Sequence, residues 1–149
     1  MQLDDHWMSL AIELSRQCPP SAAAYSVGAV IVDDEGFEIS RGYSRESDPK
    51  IHAEEAALAK LDPQDIRLSK ATLYSTLEPC SQRASRPRTC TQLILAAAIP
   101  RVVIAWLEPS IFVANCQGIE ILSEEGVFVR ELSDLAASAK VVNAHLGFR

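Results

Sequence analysis

The run Thr72-Leu73-Tyr74-Ser75-Thr76-Leu77-Glu78-Pro79-Cys80 decides the architecture, together with Cys90-Thr91-Gln92 and Arg101-Val102-Val103-Ile104-Ala105-Trp106 downstream. TLYSTL and RVVIAW are apolar runs of strand length, rich in β-branched and aromatic residues. Residues 90–99 between them read as a helix. Thr89 caps it and Gln92 stands three positions on, which makes a capping box.

Upstream, residues 26–32 form a near-continuous apolar run that ends at Asp33-Asp34-Glu35-Gly36, and residues 37–43 follow. This pattern predicts a β-hairpin turning at residues 34–36. Earlier still, Trp7, Met8, Ala11, Leu14 and Ser15 share one stripe of residues 4–17, with Leu10 beside it. That spacing predicts a helix, and Cys18-Pro19-Pro20 stops it. A loop with Asp48-Pro49 precedes a helix from about His52 to Leu61. Downstream, residues 116–125 read as a helix, 127–130 as a strand and 133–145 as a closing helix. The class is therefore α/β, with a mixed sheet packed between helices. No repeat or linker divides residues 1–149, so one domain is expected.

The 149 residues are 48% hydrophobic and 23% charged, enough for a real core and too apolar for disorder. Fourteen basic against twenty acidic side chains give a net charge of −6. A protein that grips nucleic acid through its phosphates needs the opposite balance, so the expected partner is a small molecule. The longest apolar stretches, residues 93–99 and 102–107, fall far short of the ~20 residues a bilayer helix needs. The acidic start, Met1-Gln2-Leu3-Asp4-Asp5, is unlike a signal or transit peptide, and a cytoplasmic protein is expected. In that compartment Cys18, Cys80, Cys90 and Cys116 are free, metal-bound or catalytic rather than paired. Cys18 and Cys116 read as small core residues.

His52 with Glu54, then Cys80, then Cys90 carry the chemistry. One imidazole and two thiolates are three good zinc ligands and leave a fourth tetrahedral position for water, as in catalytic zinc sites. Cys90 at a helix start is expected to ionise readily, and Glu54, two residues beyond His52, is placed to shuttle protons. A structural zinc site is the competing reading, but no fourth protein ligand announces itself. His6 and His145 lie in terminal helices, and Cys116 opens another. Zinc, a carboxylate shuttle and activated water suit hydrolytic loss of ammonia from an amidine-like ring carbon.

His52-Ala53-Glu54 and Pro79-Cys80 match the zinc nucleobase deaminase signature, except that nine residues instead of two separate the cysteines. The chain resembles the deaminase domain of the riboflavin-pathway pyrimidine deaminases, within the cytidine/deoxycytidylate deaminase superfamily. The resemblance rests on Leu77-Glu78-Pro79-Cys80-Ser81, Val27-Gly28-Ala29-Val30-Ile31-Val32, Gly42-Tyr43 and His52-Ala53-Glu54, and on Gly118-Ile119 ahead of Gly126-Val127. It implies a three-layer cytidine-deaminase-like fold, a five-stranded mixed sheet with helices on both faces and its last two strands parallel. It further implies that His52, Cys80 and Cys90 hold Zn2+ and that Glu54 moves protons. Main-chain groups of Ala53, Leu77 and Glu78 would touch the substrate, a diaminopyrimidine ribosyl phosphate, and the chain would form a homo-oligomer.

The sequence departs from that family in its loops. Ala24-Tyr25-Ser26 stands where the family has Asn-Pro, which makes Tyr25 and Ser26 the candidate contacts there, and Gln82 replaces a histidine. The loop between the cysteines is one residue longer than the family's and carries Arg83, Arg86 and Arg88. These arginines are either a solvated cluster or a phosphate site. Trp106, at a strand end, is a further candidate to stack on a ring. Two other functions stay open: a deaminase of a free base, nucleoside or specialised-metabolite heterocycle, and a non-catalytic zinc-stabilised binding protein. Ending at Arg149, the chain is expected to carry the deamination step alone.

Overall fold

The structure, a computed structural model, describes residues 2–81, 83, 87–109 and 116–146. The quoted stretch forms β3 (Thr72–Leu77), α3 (Cys90–Ala96) and β4 (Arg101–Trp106). Around it lie α1 (Gln2–Ser15), β1 (Gly28–Val32), β2 (Glu38–Tyr43), α2 (Ala53–Ala59), α4 (Gly118–Glu124), β5 (Phe128–Glu131) and α5 (Ala136–Val141). The five strands form one sheet in the order β2-β1-β3-β4-β5. β1 runs antiparallel to β2 and to β3, while β3, β4 and β5 are mutually parallel. The mixed sheet is as expected, including its parallel last pair.

All five residues of β1 are buried, because helices cover both faces of the sheet. α1 and α5 pack on one face; α2 lies over β1 and β2 on the other, with α3 and α4 alongside. Two glycines let the helices come close. A Cβ on Gly28 would stand 1.8 Å from the Ala11 carbonyl oxygen of α1, and one on Gly42 would stand 2.5 Å from the Ala53 carbonyl oxygen of α2. Gly42 pairs with Ala29, the residue after Gly28, so the two close approaches fall on opposite faces. The second seats the start of α2, where His52 and Glu54 lie.

On the α1 face, buried Asp4 ties the helix to three strands. It accepts hydrogen bonds from Tyr74 Oη (2.6 Å), from both Arg101 terminal nitrogens (3.0 and 2.6 Å) and from Arg130 Nη1 (2.6 Å). These partners, Arg101 foremost, hold its carboxyl well below the usual range. The predicted stripe of α1 is buried at Met8, Ala11, Leu14 and Ser15 and also at Ile12, while Trp7 and Leu10 are half-buried at its edge.

Beyond shifts of one or two residues at element ends, three features differ from the sequence reading. α3 stops at Ala96 rather than 99, because Ala98 turns into left-handed backbone (φ 60°) ahead of Pro100. The closing helix is broken into two 3-10 turns (Ser133–Leu135, Ala144–Leu146) flanking α5. Asn143 accounts for the second break, since its side chain accepts from the Ser26 amide (2.6 Å) and donates to the Ser26 carbonyl (3.0 Å). A 3-10 turn at Ile66–Lys70 had no counterpart in the pattern.

Candidate active site

The parallel pairing carries β3 and β4 to a common end, where Leu77 lies opposite Trp106. The chain leaving β3 is fixed at once. The Glu78 amide donates to the Trp106 carbonyl (2.9 Å), and the buried Glu78 carboxylate accepts from the amides of Glu108 (3.1 Å) and Ile119 (3.2 Å). Two residues on, the Cys80 carbonyl accepts from the Thr91 amide (3.1 Å) and Thr91 Oγ1 (2.7 Å), while Cys80 Sγ accepts from the Cys90 amide (3.2 Å). The cap predicted at Thr89 is present, with both halves of its capping box. It sets the direction of α3, and so the position of Cys90.

α2 arrives from the other side with His52 at its N-cap. His52 Nδ1 lies 3.3 Å from Cys90 Sγ and 3.6 Å from Cys80 Sγ. All three donor atoms fall within 4.8 Å of one another. Zinc bonds of about 2.0–2.3 Å give tetrahedral edges of roughly 3.5–3.8 Å, so this donor set suits zinc in both chemistry and spacing. Among the described residues no other His, Cys, Asp or Glu joins the group. Cys116 stands apart with its thiol on the Pro79 carbonyl (3.6 Å), and His145 bonds the Ser21 carbonyl (2.7 Å).

The electrostatics correct one expectation. Within this pair Cys90 keeps its proton, because its thiol donates to the Cys80 sulfur and its amide points there too. Cys80 is therefore the thiolate: hydrogen bonding from Cys90 and from His52 brings it down to about 4 against the opposing effect of burial. That same thiolate, and then burial, push Cys90 up. For His52, burial favours the neutral ring, but the Cys80 thiolate outweighs it and raises the pKa.

Glu54 is buried beside this group, and desolvation raises its carboxyl above the usual range. Ser75 Oγ lies 3.3 Å from Glu54 Oε2 and 2.9 Å from the Leu77 carbonyl oxygen. A carboxylate at Glu54 accepts the hydroxyl proton; a carboxylic acid donates to Ser75, which then turns to Leu77. One rotating hydroxyl thus satisfies both protonation states.

His52, Glu54 and Cys80 open onto a cavity of about 420 Å3, within the range of small-molecule sites. Ala53, Leu77, Glu78, Tyr25 and Arg83 also line it, as the sequence suggested. Ser26 does not reach it; its backbone is held by Asn143 and its hydroxyl by Arg45. Arg88 lines a separate groove beside Leu58 and Leu93, and Arg86 lies outside the described residues. Trp106 is buried edge-on behind Tyr25 (centroids 5.7 Å apart) instead of facing a ligand.

Four participants escaped the sequence reading: Ser75, Arg45, Lys50 and Glu108. Arg45 donates to the carbonyls of Pro19 (2.9 Å) and Tyr25 (3.0 Å) and to Ser26 Oγ (2.7 Å), which sets the wall that carries Tyr25. Burial raises Glu108, on the same lining, to about 7. The one available signal was Ser75, a hydroxyl in an otherwise apolar strand directly ahead of Glu78-Pro79-Cys80.

Comparison with known proteins gives a consistent picture. The profile of the cytidine and deoxycytidylate deaminase zinc-binding region matches residues 1–106. The diaminohydroxyphosphoribosylamino-pyrimidine deaminase of Schizosaccharomyces pombe is 42% identical over 130 residues, covering 85% of this chain and 31% of that protein. Riboflavin biosynthesis protein RibD of Aquifex aeolicus is 36% identical over 132 residues, covering 86% and 34%. The chain thus spans about a third of the length of these relatives. The solved structure of Acinetobacter baumannii RibD, form 2, superposes with a TM-score of 0.81 at 31% identity, covering 97% of this chain and 39% of that one.

Proposed function

The chain belongs to the cytidine and deoxycytidylate deaminase family, and from that premise we propose that residues 1–149 form one zinc-dependent hydrolytic deaminase domain. Its substrate is the riboflavin-pathway diaminopyrimidine ribosyl phosphate, in line with the name of the Schizosaccharomyces pombe relative. The reading is carried by three donors within 4.8 Å of one another at a cavity of about 420 Å3, with a buried carboxyl beside them.

His52 Nδ1, Cys80 Sγ and Cys90 Sγ hold the zinc, which supplies activated water at neutral pH when bound. Glu54 takes one proton of the attacking water at Oε2 and delivers it to the ring nitrogen, then takes the remaining proton of that oxygen and passes it to the departing amine, so that water and a C–NH2 group become C=O and ammonia. Ser75 steadies the carboxyl in both states. The Ala53 amide and the Leu77–Glu78 backbone contact the ring and its amine, while Tyr25 forms the wall against which the ring lies. Lys50, exposed on the lining, offers a cation to the phosphate. Arg83 is engaged internally, which leaves Lys50 rather than Arg83 as the cation for the phosphate.

Among the described residues, no helix is long and apolar enough to cross a membrane. A cytoplasmic homo-oligomer is the working expectation, and sedimentation tests its second half.

Ammonia release across amino-heterocycles with and without a 5′-phosphate tests the substrate. Turnover of the diaminopyrimidine ribosyl phosphate in preference to its dephosphorylated form is expected. Turnover confined to a free base or nucleoside overturns the substrate and keeps the chemistry. Stoichiometric zinc with no turnover of any compound overturns the enzyme reading.

A further inference from the structure

Arg83 lies in the loop between the two cysteines, and its side chain is only 3% exposed. A guanidinium so enclosed needs fixed acceptors. It has them on the far side of the metal group: Nη2 donates to the Lys50 carbonyl (2.6 Å) and to Glu55 Oε1 (2.8 Å). Nη1 reaches the Arg88 carbonyl at 3.5 Å, closing the loop on itself two residues before Cys90. The same Glu55 Oε1 accepts the main-chain amide of His52 at 3.2 Å. One carboxylate oxygen therefore joins the backbone of one metal donor to the loop that carries the other two.

We propose that Arg83 and Glu55 form a clamp that holds the His52 side of the zinc site in register with the Cys80–Cys90 side. Resting on the zinc reading above, it makes both of them positioning residues. Bonds from Cys90 and Thr91 fix Cys80 to Cys90, and the clamp fixes that pair to His52. The clamp also gives Arg83 a role other than phosphate binding. Its buried arginine faces inward to an acidic cap and two carbonyls.

The test is zinc affinity by chelator competition, with the absorption spectrum of the cobalt(II)-substituted protein as a report on donor geometry. Removing a group that orients metal ligands weakens metal binding by about 10–100-fold. Arg83→Ala and Glu55→Ala should each weaken zinc by about tenfold or more and alter the cobalt bands. The double variant should be little worse than either single one, because the two act as a unit. Glu55→Gln keeps the oxygen acceptor and should restore most of the affinity. If Arg83→Ala does not fold, Arg83→Lys serves: one ammonium cannot span both acceptors, so affinity should fall, and wild-type affinity would overturn the clamp. It is also overturned if Arg83→Ala binds zinc normally with unchanged cobalt bands, including the case where it only raises KM for a phosphorylated substrate. A wild-type protein whose zinc does not depend on His52, Cys80 and Cys90 would instead sink the function on which the clamp rests.

Discussion

The floor of the cavity and its wall are built by different means. On the floor, Cys80 and Cys90 are linked through a backbone amide and the doubly bonded Cys80 carbonyl, and His52 and Glu54 share one helical turn. Within each pair the bonds are close in sequence, and Arg83 with Glu55 joins the two pairs across the site. The wall joins Tyr25, Arg45 and Glu108 from three separate segments, held by long-range bonds such as Arg45 to the Pro19 and Tyr25 carbonyls and Tyr25 Oη to the Pro109 carbonyl (3.3 Å). The contrast suggests a division of labour in which the floor fixes the reaction and the wall fixes what is admitted to it.

Kinetics of two variants test that division. Glu54→Gln should cut kcat by about 10²–10⁴-fold, the usual contribution of a positioned general acid–base, with KM little changed. Tyr25→Ala should raise KM about tenfold through lost ring contact and leave kcat within a few-fold. If the Tyr25 variant loses kcat and the Glu54 variant loses KM, the floor and wall have been assigned the wrong way round.

The sequence was legible where structure is local. β3 and β4 were bounded to the residue because each is a buried apolar run cut off by Glu78-Pro79 or Pro100. The Thr89–Gln92 cap was visible for the same reason, as was the trio His52, Cys80 and Cys90 that the structure brings together. What escaped was set by the tertiary fold. Arg45 could be weighed only once the 19–26 segment was seen beneath it, and Glu55 looked like one more acidic residue in a helix. That Cys90 keeps its proton beside Cys80 could not be read from the helix start, since it depends on the thiol and amide of Cys90 both facing the Cys80 sulfur.

Smaller effects distinguish the wall from the opposite face of the sheet through pH. Glu108 has a raised folded-state pKa, so its contribution to stability is complete below about 4.5 and is lost as pH rises through about 7. Asp4 has a depressed one, so its contribution is present above about 3.8 and is lost only as pH falls toward its folded value. Unfolding curves should show Glu108→Gln flattening the loss between about pH 4.5 and 7. Asp4→Asn should cost about 1.5–3 kcal/mol at neutral pH, with less of that difference left at pH 3. Each variant should lose only its own slope and keep the other's; loss of both in one variant would mean that different groups control the titration.

The central claim is that three donors and one carboxyl make this floor a zinc-dependent deaminating site. Titrating zinc into metal-stripped protein while recording ammonia release from the diaminopyrimidine ribosyl phosphate tests it most directly. Turnover should rise in proportion to added zinc and saturate at one equivalent per chain, with Cys90→Ser giving neither tight binding nor turnover. Full turnover without metal, or one tightly bound zinc with no ammonia released, would contradict the account.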